Sequence, residues 1–323
     1  METIIPIADL QSIYSVADVD RALGSGGARH NEGFKSWYDR MRERGGSRYI
    51  IKPSTTAAVD ALREQSPNFV NVVDDLRKCL ALAIAGNEAV QFTPMLLLGK
   101  PGVGKTYFAK RLAQTLGTGF EFVSMSSLTA GWVLTGAAAQ WHNACPGRVA
   151  QTPQTLVEGE YANPLVVLDE IDKSGGDSRY DPMRALYALL ERDTAAHFKD
   201  EFIDVDIDAS HILWVATAND EGTIPEPVLN RINVYVVEPP DADGARSIAL
   251  AIYHEILDAH RWPFSREPSE SVLERLSALP PRDMRKLLLD AFGTARLANR
   301  DFLVPEDVDA KKLCGRKARI GFQ

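Results

Sequence analysis

The chain of 323 residues, 45% hydrophobic and 25% charged, is long enough for a sizeable core and two domains, with the composition of a soluble globular protein. A net charge of −8 argues against a surface given over to a polyanion. Cys79, Cys145 and Cys314 have neither a disulfide nor a metal-ligand spacing, no apolar stretch reaches the roughly 18–20 residues of a membrane span, and METIIPIADLQ lacks a signal pattern, so a reducing, cytoplasmic setting is expected.

Residues 1–67 read as an N-terminal region, partly flexible and a candidate for partner binding, because GSGGARHNEG and RERGGSRY predict loops over 24–33 and 44–48. A helical pattern runs from Thr55 to Ala85 with a break at SPN, 66–68. Val70, Val73, Leu76, Leu80 and Ile84 form its apolar face. From Pro94 onwards the short apolar runs MLLLG, FEFVSM, PLVVLDE, HILWVATA and NVYVVE alternate with helical segments, the pattern of buried strands in a parallel sheet. After Pro239-Pro240 the strands stop, and helices are expected over 242–259, 269–278, 281–298 and 305–313. The fold class is therefore α/β over 68–240, followed by a small all-helical domain over 241–312 and a basic tail over 313–323. Lys311, Lys312, Arg316, Lys317 and Arg319 give that end its charge.

Three motifs carry chemistry. Gly99–Thr106, GKPGVGKT, fits G-x-x-x-x-G-K-[ST] between a strand-like run and the helical TYFAKRLAQTLG. Gly99, Gly102 and Gly104, with Pro101 and Val103, make a loop whose backbone N–H groups cradle phosphates. Lys105 reaches the β- and γ-oxygens, Thr106 offers its hydroxyl to Mg²⁺, and Tyr107 continues the first helical turn. NPLVVLDEID delivers Asp169 and Glu170 to the C-terminal end of a buried strand, where Asp169 suits Mg²⁺ and Glu170 suits polarising a water; Asp172 and Lys173 read as structural. HILWVATAND ends in Thr217 and Asn219, of which Asn219 is the better group to position that water.

Together with DPMRALYALLE, FKDEFIDVDIDASHILWVATAN and IPEPVLNRINVYVV, these motifs make the chain resemble a AAA+ ATPase, and within that family the ATPase module of the Lon proteases, over about Asn68 to Lys312. The resemblance implies an AAA+ P-loop domain, a parallel sheet between helices, with a helical lid, and a homo-oligomeric ring taken as a hexamer. ATP and Mg²⁺ would bind between subunits. It makes GKPGVGKT the Walker A and LVVLDE the Walker B motif. Arg231 in LNRI corresponds to the arginine finger that reaches a neighbouring subunit's nucleotide. Arg282 in LPPRDMRK corresponds to the lid arginine that faces the subunit's own, with Arg285 as substitute because Pro280-Pro281 departs from the family pattern. Phe69 and Val70 fall where the family contacts adenine.

The resemblance also gives meaning to an uncharged run, Phe122 to Gly147, that contains WHNACPGR. There the family carries a pore loop, an aromatic residue followed by small residues and Pro-Gly-Lys/Arg. Trp141 takes the aromatic place, His142 departs from the aliphatic one, and a bulky ring can wedge against a threaded chain without reading its sequence. Trp132 competes for the role, and packing of Trp141 in the core is the plainer alternative. A second pore-facing loop would bring Arg179 or Tyr180. No residue here can be assigned the serine–lysine dyad of Lon, so the expected function is an unfolding or remodelling motor without protease activity of its own, acting on a protein substrate. The alternative is a nucleic-acid-directed ATPase, a loader or a component of a mobile element or defence system. It rests on the basic tail and Arg148 and is disfavoured by the acidic net charge.

Overall fold

The computed structural model describes residues 7–24, 32–128, 130–138, 141, 144–151, 156–174 and 181–309. His142, Arg179, Tyr180, Cys314 and the basic residues of the tail lie outside the described residues. The chain opens with strand β1 (Ile7–Ser12), helices α1 (Val16–Gly24) and α2 (Glu32–Arg44), and strand β2 (Ser47–Lys52), which pairs antiparallel with β1. Phe34, Tyr38 and Met41 recur at helical spacing on α2 and are buried, so the helix has one core-facing stripe among many charges. The loop expected over 44–48 is shorter. Gly45 takes φ +70° and donates its N–H to the Met41 carbonyl at 3.1 Å, ending α2 as a left-handed cap, and Ser47 already begins β2.

Helix α3 (Ala57–Gln65) and helix α4 (Val70–Gly86) flank a 3₁₀ turn, Pro67–Phe69, at the expected break. Val73, Leu76 and Leu80 are buried on α4, but Ile84 is 36% exposed, and Val72 and Ala83 complete the apolar face instead. The strand and helix alternation then follows as β3 (Met95–Leu98), α5 (Lys105–Leu116), β4 (Phe120–Ser124), α6 (Trp132–Thr135), α7 (Arg148–Gln151) and β5 (Leu165–Asp169). It continues through α8 (Pro182–Leu189), α9 (Arg192–Ala195), a two-stranded antiparallel hairpin of β6 (Phe198–Lys199) and β7 (Asp206–Ile207), β8 (Leu213–Ala218), α10 (Glu226–Leu229) and β9 (Asn233–Val236).

Strands β4, β5, β8, β3 and β9 form, in that order, a five-stranded sheet in which every pairing is parallel. Every residue of β8 is buried, as a central parallel strand covered on both faces requires. β9 was expected to be buried as well. It is the edge strand, and Val234 and Val236, two residues apart on one face, are exposed there. Register pairs Leu168 with Ala216 and Leu98 with Ala218, so β5, β8 and β3 end side by side.

Among the described residues, helices α11 (Ala242–His260), α12 (Glu270–Ser277) and α13 (Pro281–Leu297) make the helical domain. Asp241 caps α11 by accepting the Gly244 N–H at 2.8 Å, and Tyr253, Leu276, Leu288 and Phe292 fill its core. The helix expected over 305–313 is a single 3₁₀ turn, Pro305–Asp307, within the described residues; Arg300 grips Asp307 there in a two-bond fork of 2.7 and 2.8 Å.

By internal contacts the chain divides into two units. Met1–Asp60, Asp74–Leu98 and Thr106–Val236 form the sheet unit; Ala61–Val73, Gly99–Lys105 and Val237–Gln323 form the helical unit. These cuts differ from the divisions read at residues 67 and 240, because β1 to β2 pack into the sheet unit. Buried Arg48 donates to the carbonyls of Leu156 and Val157, and Asn163 pairs with both backbone groups of Ile51.

Candidate nucleotide site

In the helical unit the loop from Gly99 to Gly104 is shaped by its glycines. A Cβ at Gly99 would lie 2.3 Å from the Val237 carbonyl oxygen, while Gly102 and Gly104 adopt φ +90° and +100°, which disfavour any side chain. Lys105 begins α5 and is nearly buried. Its Nζ donates to the carbonyls of Gly99 at 2.5 Å and Lys100 at 3.1 Å, so the loop curls around an ammonium ion. Asn68 donates its amide to the carbonyl of Val103 at 3.1 Å, and its own Oδ1 is buried with no partner among the described residues. Buried Phe69 comes within 3.9 Å of the place a Gly104 Cβ would take; Val70 is half-buried and Tyr107 is exposed. The glycine-shaped loop at a helix start and its ammonium fit a phosphate, and the unpaired Asn68 acceptor fits a donor such as the amine of a base.

Pro280 and Pro281 do not break the helix that carries Arg282. They are its N-cap and first residue, where a missing N–H is harmless, and the Pro280 Cβ lies 3.7 Å from where a Gly102 Cβ would stand. Arg282 is exposed in that first turn and has no partner among the described residues. Arg285 pairs with Glu255 on α11 at 3.1 Å.

In the sheet unit the strand ends converge. Thr106 donates its hydroxyl to Asp169 Oδ1 at 2.8 Å, and Thr217 donates to the same oxygen at 2.7 Å. The Thr217 oxygen also accepts the Glu170 N–H at 3.0 Å. Glu170 sits at φ +56°, a left-handed conformation that costs a non-glycine residue about 1–2 kcal/mol and turns it off the line of β5; the bond to Thr217 holds it there. Lys173 forms an ion pair with the Glu170 carboxylate, and that hydrogen bond holds the Lys173 ammonium above its ordinary value. Asp172 ties the neighbouring strand end down: its Oδ2 accepts the N–H groups of Asn219 at 3.1 Å and Asp220 at 3.3 Å. Thr217, which the sequence reading set below Asn219, is the hub of this arrangement. A lone hydroxyl in a wholly buried apolar strand was the available signal.

Residues 95–239 match the family described as "ATPase family associated with various cellular activities (AAA)". These residues form an AAA ATPase domain. Lon protease 1 of Thermus thermophilus is 31% identical over 217 residues, 67% of this chain and 26% of that protein. The mitochondrial Lon protease homolog of Emericella nidulans is 34% identical over 192 residues, 59% of this chain and 17% of that protein. The chain therefore spans about a quarter or less of the length of these curated relatives. A closed-state reconstruction of Hsp104 with ATPγS and FITC casein has a TM-score of 0.59 over 89% of this chain and 55% of that one, at 15% identity, which shows a shared fold.

Within the AAA domain, Arg231 stands apart from the Walker B residues. It precedes β9, at the starting end of the strands, whereas Asp169 is at the finishing end of β5. Its Nε pairs with Glu191 at 3.2 Å and its Nη1 donates to the Pro227 carbonyl at 2.6 Å, at the rim of a cavity of about 630 Å³ lined by Trp214, His211 and Asn230. Trp141 is 46% exposed, not core, and Trp132 is half-buried on α6. Arg148 bonds with Glu121 and the Phe122 carbonyl, both at 3.3 Å. No described helix is long and apolar enough to cross a membrane.

Proposed function

We propose that the chain is an ATP-hydrolysing AAA+ motor that assembles as a ring of six copies and unfolds or remodels a protein by drawing it through a central pore. The observation that carries this reading is the bonded set Thr106–Asp169–Thr217–Glu170, which brings a Walker A hydroxyl, the Asp169 carboxylate and the Glu170 backbone N–H to one row of strand ends. ATP lies with its phosphates in the Gly99–Lys105 cradle. The Thr106 hydroxyl and the Asp169 carboxylate are a hard-oxygen pair that suits Mg²⁺, which when bound neutralises phosphate charge. Glu170 polarises the attacking water, Asn219 orients it, and Arg282 contributes positive charge from the lid.

Arg231 acts on the nucleotide of the adjacent copy. Its place at the opposite end of the strands from Asp169 supports action in trans, since a strand advances about 3.3 Å per residue and the two ends lie several residues apart. Trp141 grips the threaded chain, and its exposure supports that role. The Hsp104 reconstruction, obtained with casein, shares the fold and adds to the case for a protein substrate. Of the residues behind a nucleic-acid role, those of the basic tail lie outside the described residues, and Arg148 is engaged by Glu121.

Mixed rings test the arrangement. Glu170→Gln and Arg231→Ala should each lower ATP turnover by about 10²-fold or more while nucleotide binding persists. Mixing the two variants should restore part of the activity, because some sites then combine an intact Glu170 with an intact neighbouring Arg231. A mixture no more active than either variant alone would exclude the arginine in trans.

A further inference from the structure

The β6–β7 hairpin stands outside the parallel sheet, and Asp200 begins its turn. Asp200 is 0% exposed. Its Oδ1 accepts the N–H groups of Phe202 at 2.9 Å and Ile203 at 3.2 Å, closing its own turn. Its Oδ2 accepts the Gly147 N–H at 2.7 Å, from a residue 53 positions away. Gly147 ends the Pro-Gly pair at the base of the Trp141 loop. The same base is closed by the Ala137 N–H bonded to the Cys145 carbonyl at 3.0 Å and the Glu201 N–H bonded to the Thr135 carbonyl at 2.8 Å. It has no room for a side chain: a Cβ on Gly136 would come 2.2 Å from Asp200 Oδ1, and one on Gly147 would come 2.2 Å from the Leu134 carbonyl.

The other side of the turn is held by helix α2. The Phe202 ring stacks on Phe34 with centroids 4.0 Å apart, and the Tyr38 hydroxyl donates to the Ile203 carbonyl. One buried carboxylate therefore stands between α2 and the loop that carries Trp141.

We infer that Asp200 is the positioning residue of the Trp141 loop, fixing the loop base to a turn whose own place is set by the N-terminal layer. The inference rests on reading Trp141 as the substrate grip. Stability alone is a poor reason for this carboxylate. Burial outweighs the three N–H bonds and pushes its pKa up to about 6. An asparagine could accept on only one edge, whereas the site presents N–H donors to both, so the second carboxylate oxygen serves the bond across to the loop.

Asp200→Asn in the full chain tests this, with unfolded casein as the substrate probe. Basal ATPase should stay near that of the parent, casein-stimulated turnover should fall by about tenfold or more, and amides of 144–151 should exchange with deuterium at least about tenfold faster. Unchanged stimulation with unchanged exchange overturns the inference, and so does a parallel loss of basal ATPase and thermal stability, which would mark a structural residue. Should that variant fail to fold, Tyr38→Phe decides. Reduced stimulation at normal basal rate supports the link through α2, and no reduction overturns it. Trp141→Ala separates the two readings: full casein stimulation there removes Trp141 as the grip, while exchange at 144–151 in Asp200→Asn still reports whether the carboxylate holds the loop.

Discussion

Thr217 shows how much of the proposed chemistry hangs on one hydroxyl. It is 1% exposed, donates to Asp169 and accepts from Glu170, so its loss takes the hydroxyl acceptor from a part-buried backbone N–H beside a carboxylate that loses a donor. Thr217→Val keeps the shape and removes the hydroxyl, and should cost about 1–3 kcal/mol in urea unfolding. ATP turnover should fall further than that loss of folded protein explains, because Glu170 is no longer held in its left-handed conformation; Thr217→Ser should restore most of it. The sequence places Asp169 and Glu170 by their position after an apolar run. Thr217 lies 47 positions from the Glu170 amide it serves, so periodicity along either strand is silent about the bond. Asn219 is similar: its side chain suits positioning a water, whereas the structure also holds its backbone, through Asp172.

At the scale of the element, the start of α13 decides between two arginines. Prolines at the N-cap and first position begin the helix, leaving Arg282 exposed in the first turn and Arg285 one turn on, tied to Glu255. Arg282→Ala should therefore slow ATP turnover by about tenfold or more with little change in melting temperature. Arg285→Ala should instead cost about 0–1 kcal/mol of stability, as a partly exposed ion pair does, and leave turnover largely intact; equal effects on turnover would make the two indistinguishable as lid cations. Helix periodicity predicted α13 closely, and the short apolar runs predicted the sheet strands in order. The helical face failed at Ile84 and the buried-strand reading failed at β9, where exposure depends on whether a neighbouring element covers that face.

For the whole molecule, the main surprise is the N-terminal layer. Its charged helix α2 and Gly-rich turns look like flexible chain, yet Phe34, Tyr38 and Met41 face a core, and Tyr38 reaches Ile203, 165 positions away. Asp200 beneath it also gives the fold a pH signature. Its pKa of about 6 in the folded chain lies above the ordinary 3.8, so between those values the native state binds more protons than the unfolded one. This group's contribution is most favourable below about pH 4 and is lost as pH rises through about 6, a change on the order of 3 kcal/mol for a two-unit shift. Urea unfolding of the parent and Asp200→Asn should show the parent gaining relative stability from pH 7 to pH 5. A pH-independent difference would count against the buried charge.

What the sequence by itself determined is the local machinery. It sets the glycines and lysine of the phosphate loop, the carboxylates after β5, and the order of strands and helices. Those features follow from spacing over a few residues, which the chain's covalent geometry turns directly into loops, strand ends and helix starts. The tertiary structure alone decided that Thr217 joins the Walker motifs, that Arg231 stands at the other end of the strands, and that Asp200 connects α2 to the Trp141 loop. Each depends on hydrogen bonds or packing between segments far apart in sequence, and such contacts are fixed only when the strands align and the buried polar groups must find partners.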